Sequence, residues 1–153
     1  MAHSSFTSEE DFAAAYERYA DDIFRHCYLR VFCRDTAKAL MTEAFTRLWQ
    51  FIADGNYVDS TRLYLYRVTH ALIKQHEMQA TEPVAAAQIA DEDDHSAELA
   101  LLRKVPAEDR PVLVLHYVDG FSLREIGEIV GGAVQDHSLS LRKGTSVLSS
   151  LLA

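Results

Sequence analysis

The chain has 153 residues, 48% hydrophobic and 25% charged, with two cysteines and a formal charge of −8 at pH 7. This is globular composition, not disorder, and suits one ordinary domain or two small ones. No apolar run approaches the roughly 20 residues that cross a bilayer, and the opening MAHSSFTSEEDF lacks the basic start and apolar run of a secretory signal.

The charge is unevenly spread. Residues 1–76 carry 9 basic and 10 acidic side chains, and residues 99–153 carry 6 of each. Residues 77–98 carry 7 acids and no base, so almost all of the acidity sits in one short segment. That balance argues against a protein that grips DNA alone through phosphates. Cys27 and Cys33 lie six apart, on different faces of a helix, so no disulfide is expected between them. No further cysteine pair completes a zinc site, and a reduced, cytoplasmic protein without metal or cofactor is expected.

In chain order, about Ser8 to Gln75 reads as nearly continuous helix. Ser8 and Asp11 offer an N-terminal cap, and Phe12, Tyr16, Tyr19, Ile23 and Phe24 recur at three- and four-residue steps. Arg34-Asp35-Thr36 reads as a break, with Asp35 or Thr36 capping the next helix. That helix has the best apolar stripe in the chain, with Leu40, Ala44, Leu48 and Ile52 on one row and Met41, Phe45 and Trp49 on the next. Asp54-Gly55-Asn56 ends it, and Ser60 or Thr61 caps a third helix carrying Leu65, Val68, Leu72 and Ile73. Residues 77–98, with Pro83, alanines and the run Asp91-Glu92-Asp93-Asp94, read as a self-repelling tether.

The stretch Val105 to Gly144 is the most informative. Pro111 suits the first turn of a helix over the apolar run Val112 to Val118. Ser122 and Glu125 fit a capping box, followed by Ile126, Ile129 and Val130 at helical spacing. Gly131-Gly132 stops that helix, because glycine accepts a left-handed conformation. Another helix then runs from near Ala133 through Leu148, with Val134, His137, Leu141 and Leu148 roughly on one face. Helix, tight turn, helix is the unit that places a recognition helix in the major groove. No alternating strand pattern is present, and the expected fold is all-α.

Catalysis is not expected. The seven histidines are scattered, none at ligand spacing from another histidine or a cysteine. Ser149 and Ser150 have no glycine elbow, and Gly131-Gly132 is not a phosphate loop.

The segments VPAEDRPVL (105–113) and HYVDGFSLREIGEIVG (116–131) closely resemble the fourth conserved region of bacterial sigma factors, nearest to the two-domain extracytoplasmic-function class. FAAAYERY (12–19), LMTEAFTRLW (40–49) and RLYLYRV (62–68) resemble, in the right order, the opening, the polymerase-binding helix and the promoter-opening helix of the second region. The resemblance covers about residues 10–76 and 100–150. It implies two small helical domains, 8–76 and 99–153, joined by the acidic linker 77–98, the second with a helix-turn-helix. An acidic linker could mimic phosphate in a basic polymerase channel.

The family implies contacts to core RNA polymerase from Met41, Thr42, Glu43, Thr46 and Arg47, although Glu43 and Arg47 also read as a plain surface ion pair. Melted promoter strand would be held by Tyr57, Arg62, Tyr64, Arg67, His70 and Lys74, rings interleaved with cations. Tyr66 lies among them, and at helical spacing at least one of these tyrosines is expected in the core. Duplex DNA would be read by Arg124, Gln135, Ser138, Leu139, Arg142 and Lys143. An anti-sigma partner wedged between the domains is common in the class, the chain allows one, and a free monomer is expected.

The chain also departs from the family. Ser138 and Ser140 stand where Lys or Arg is common, and Asp136 adds an acid at the DNA-facing end. His137 replaces an apolar core residue, Gly144 an alanine, Ala71 an asparagine and Tyr64 a tryptophan. A second reading is therefore kept: a sigma-like protein that binds polymerase or an anti-sigma factor with weak or no promoter binding. An ordinary helix-turn-helix repressor is disfavoured by the first block and by the lack of a dimerisation helix after residue 148.

Overall fold

A computed structural model describes residues 9–79 and 96–152. Among them the chain is all helix, and no helix is long and apolar enough to cross a membrane. The elements are α1 (Glu9–Val31), α2 (Arg34–Ala53), α3 (Thr61–Gln79), α4 (Ser96–Lys104), α5 (Arg110–Leu113) continuing as a π-helical turn (Val114–Val118), α6 (Leu123–Val130) and α7 (Val134–Leu152).

The first break lies earlier than the sequence suggests. Phe32 takes a positive φ of 60°, uncommon for a residue with a side chain, and its ring is buried in the core. Its amide bonds the Tyr28 carbonyl at 2.9 Å, closing α1, and Cys33 occupies the extended N-cap position of α2 with no side-chain cap bond. Asp35 and Thr36, expected as caps, lie inside the first turn of α2 instead. Burial of the Phe32 ring, not a polar cap, sets this corner. The expected Ser8 cap lies outside the described residues.

The later signals hold. Ser60 Oγ accepts the Leu63 amide at 3.2 Å. Ser122 and Glu125 form the full capping box. Gly131 and Gly132 take φ of 81° and 84°, and a three-residue turn links α6 to α7. Neither Cys27 nor Cys33 is in a disulfide. Helix α3 runs to Gln79, three residues into the expected tether, and α4 starts at Ser96. Residues 80–95 lie outside the described residues. In α7, Val134 is exposed rather than facing the core with His137.

Helices α1, α2 and α3 pack on one another, as do α5, α6 and α7, and α3 lies against α6 while α1 lies against the π turn. One continuous apolar cluster therefore spans both halves, from Ile23, Leu48, Leu65 and Ile73 to Val114, Leu115, Phe121 and Ile126. Gly144 is needed where α7 crosses α5, since a Cβ there would fall 2.4 Å from Leu113 Cδ1. A Gly144→Ala variant should lose about 1–3 kcal/mol to overpacking, offset by up to roughly 1 kcal/mol of helix propensity. Urea unfolding should show a lower midpoint with an unchanged slope.

Candidate nucleic-acid interface and the seam behind it

The sequence-derived polymerase face on α2 is exposed at Thr42, Glu43, Thr46 and Arg47. Arg47 Nε bonds Glu43 Oε2 at 3.0 Å across one helical turn, a surface pair worth only a few tenths of a kcal/mol. Met41 does not belong to that face. It is 6% exposed and packs in the core, on the same side of α2 as Ala44, Phe45 and Leu48.

The residues expected to hold a melted strand separate into three groups. Tyr57 and Lys74 are exposed. Tyr64 is half-buried and stacked on Phe51, with ring centroids 4.9 Å apart. Arg62, Arg67 and His70 are already engaged. Arg62 lies 3.8 Å over the Phe121 ring, and its Nη2 donates to the Asp119 carbonyl. Arg67 Nε donates to the Glu128 carbonyl at 3.1 Å. His70 Nδ1 accepts from Arg30 Nη1 at 3.4 Å, and burial, reinforced by Arg30, His26 and Lys74, lowers its pKa to about 3. His70 is thus a neutral ring at physiological pH, not a cation for phosphate. Tyr66 is the core tyrosine that helical spacing requires, at 1% exposure.

On α6 and α7, Arg124, Gln135, Leu139, Arg142 and Lys143 are exposed and Ser138 is half-buried. Ser140, one of the serines replacing a family cation, is turned inward and donates to Asp109 Oδ1. His137, unusual for a core position, is satisfied by the Gly131 carbonyl at 2.6 Å, which ties α7 to the turn before it. His70, Lys74, Leu139 and Lys143 line one groove of about 480 Å³ between α3 and α7, together with Asp109 and Asp136.

Behind that groove lies a polar seam that the sequence did not signal. The Asp119 side chain, at the end of the π turn, is fully buried. Its Oδ2 accepts from His26 Nδ1 at 2.8 Å, and its Oδ1 accepts from the Tyr66 hydroxyl at 3.0 Å with Arg25 Nη2 at 3.9 Å. Burial holds the His26 pKa below its usual value of 6.5, against the pull of Asp119 and with help from Arg30 and Arg25. Its Nε2 has no protein partner, so a second ring proton would be buried without an acceptor. Arg30 is 2% exposed, its pKa lowered to about 10 by burial, and its Nη2 lies 3.9 Å from the Glu77 carboxylate. Burial also pushes the Cys27 thiol up to about 12, leaving it inert. No group of metal-ligating side chains occurs among the described residues.

Two solved structures share the fold of this chain. The sigma factor RpoE from Bartonella quintana, in complex with the anti-sigma factor NepR, superposes with a TM-score of 0.77 at 15% identity, covering 94% of this chain and 97% of that one. CnrH, in complex with the cytosolic domain of CnrY, gives 0.77 at 18% identity, covering 95% and 89%. This chain has the sigma-factor fold. No protein-family model and no curated protein matches the sequence. Within the sigma-factor fold, the exposed α2 face and the exposed α7 face belong to different halves, and the Asp119 seam joins them.

Two outcomes follow from the seam. Both His26 and His70 are harder to protonate folded than unfolded. Their contribution to stability is thus complete above the ordinary histidine value near 6.5 and is lost as pH falls toward the depressed folded values. The urea midpoint should therefore drop between pH 7.5 and pH 5.5, and a His70→Asn variant should flatten that slope. Tyr66→Phe removes a hydrogen bond to a buried carboxylate and should cost about 1.5–3 kcal/mol in the same assay at pH 7.5.

Proposed function

We propose that this chain is a promoter-specificity factor that binds core RNA polymerase and directs transcription initiation, with no chemistry of its own. The observation that carries the reading is a sigma-factor fold spanning at least 94% of the chain, with the sigma-like sequence segments in the same order along it. The N-terminal unit, about residues 8–76, would dock polymerase through Thr42, Glu43, Thr46 and Arg47 and hold melted strand with Tyr57, Tyr64, Arg62, Arg67 and Lys74. The C-terminal unit, about 99–153, would read duplex DNA through Arg124, Gln135, Ser138, Leu139, Arg142 and Lys143 as a helix-turn-helix. The acidic residues 77–98 would tether the two in a cytoplasmic, monomeric protein. Because RpoE and CnrH were each solved with a bound protein, a cognate anti-sigma partner belongs to the same proposal.

A second reading has a specific observation in its favour. Ser140 is spent on Asp109, and Asp136 sits in the first turn of α7, so the duplex-facing surface is poor in cations. A sigma-like protein that binds polymerase or an anti-sigma factor without promoter recognition fits that surface.

Binding to bacterial core polymerase, followed by in vitro transcription from a random-promoter library, separates the readings. Tight binding with an enriched promoter motif supports the first; tight binding without transcription supports the second; no binding removes both. Arg47→Glu should weaken core binding at least about tenfold, or roughly 1.4 kcal/mol, with little change in melting temperature because the side chain is exposed. Arg142→Ala and Lys143→Ala should each lower the salt slope of promoter binding by about 1.

A further inference from the structure

We infer that the N-terminal half binds a small monovalent inorganic anion, of halide size, on the buried guanidinium of Arg30 between α1 and α3. The site does not depend on the proposed promoter role.

Arg30 meets His70 across the contact between these two helices. Its Nη1 donates to His70 Nδ1 at 3.4 Å, a long bond to a neutral ring. The other edge of the guanidinium carries Nε–H and one N–H of Nη2 side by side. That edge is the fork with which arginine takes an anion through two parallel hydrogen bonds. Both nitrogens are buried, and neither has a protein acceptor. The Glu77 carboxylate stops 3.9 Å from Nη2, outside hydrogen-bond range, with its side chain 32% exposed. The buried Asp119 carboxylate has its oxygens committed to His26 and Tyr66. Two further buried polar atoms lack a protein partner: Thr69 Oγ1, next in sequence to His70, and His26 Nε2, one turn before Arg30. The orphaned atoms thus gather within a turn of the Arg30–His70 contact. Buried polar groups without protein partners mark the place of an ion or ordered water.

The choice between water and an anion turns on charge. Water can accept from Nε and Nη2, but it leaves a full positive charge on a side chain only 2% exposed. An unpaired buried charge is far more costly than an unpaired neutral donor. The surrounding field is positive as well, since Arg110 acts on Arg30 and Lys74 acts on the adjoining His70. One small anion on the Nε–Nη2 edge accepts both hydrogen bonds and neutralises the charge together. Burial also sets the size, because a guanidinium this enclosed excludes an organic phosphate or a carboxylate ligand.

The test uses the full chain in sodium chloride and in sodium gluconate at equal ionic strength, gluconate being too bulky for the site. Urea unfolding reads stability, and the linewidth of the chloride NMR signal reads binding. Chloride should stabilise the chain saturably, raising the folded-to-unfolded ratio about tenfold at roughly ten times its dissociation constant. The chloride signal should broaden in parallel. Arg30→Met, which fills similar space without charge, should lose both effects. If that variant fails to fold, Arg30→Lys decides in its place: it keeps the charge, loses the fork, and should bind chloride at least about tenfold more weakly. Equal stability in the two salts with no broadening overturns the site and leaves water or a shifted Glu77 on that edge. A chloride effect of full size in the deciding variant also overturns it, since the ion then binds elsewhere.

Discussion

The buried carboxylate of Asp119 constrains the rest of the structure. An ionised carboxyl group stripped of water is tolerable only when its oxygens are matched by donors. Here the donors come from two helices of the other half of the molecule, so the halves cannot be positioned independently. His26 and Tyr66 must sit at the right depth on α1 and α3, and Phe121 must fill the space beside Tyr66, where the two rings meet edge-on at 4.8 Å. Such a pair is not necessarily a large source of stability compared with an apolar substitute. Its effect is to make one relative placement of the halves much better than its neighbours.

Much of the fold was legible in the residues. Periodicity marked the helices, and Ser60, the Ser122–Glu125 box and Gly131-Gly132 marked ends where a local polar or glycine signal does the work. The corner at Phe32 was not legible, because what holds it is tertiary: an aromatic ring buried under Arg103 and Arg110, whose charges lie 5.9 Å and 5.0 Å from its centre. The apolar stripe already placed Met41 beside Phe45, where the structure buries it, and only the family resemblance set it on the polymerase face. Asp119 was hidden most completely. In the run Val118-Asp119-Gly120 it reads as turn chemistry, and its partner His26 lies 93 residues away. A long-range polar pair leaves no periodic trace.

The departures from the sigma-like pattern acquire physical meaning in the structure. His137 does not weaken the turn between α6 and α7 but bonds across it, and Gly144 allows a helix crossing that alanine would obstruct. Ser140 substitutes an internal bond for an outward charge. These residues trade surface cations for internal fit in the C-terminal half, which agrees with the near-zero net charge of residues 99–153.

The π turn at Val114–Val118 sets the aim of the Asp119 carboxylate. There the Asp119 amide reaches back five residues to the Val114 carbonyl at 3.0 Å, so the turn holds one residue more than an α-helical turn would. Each residue advances an α-helix by about 100°. Deleting one residue here would make the helix more regular and, by the same step, swing the carboxylate away from His26 and Tyr66. Chain length in this segment is thus tied to the relative orientation of the two halves, and an insertion or deletion of one residue would be felt across the seam more than within α5 itself.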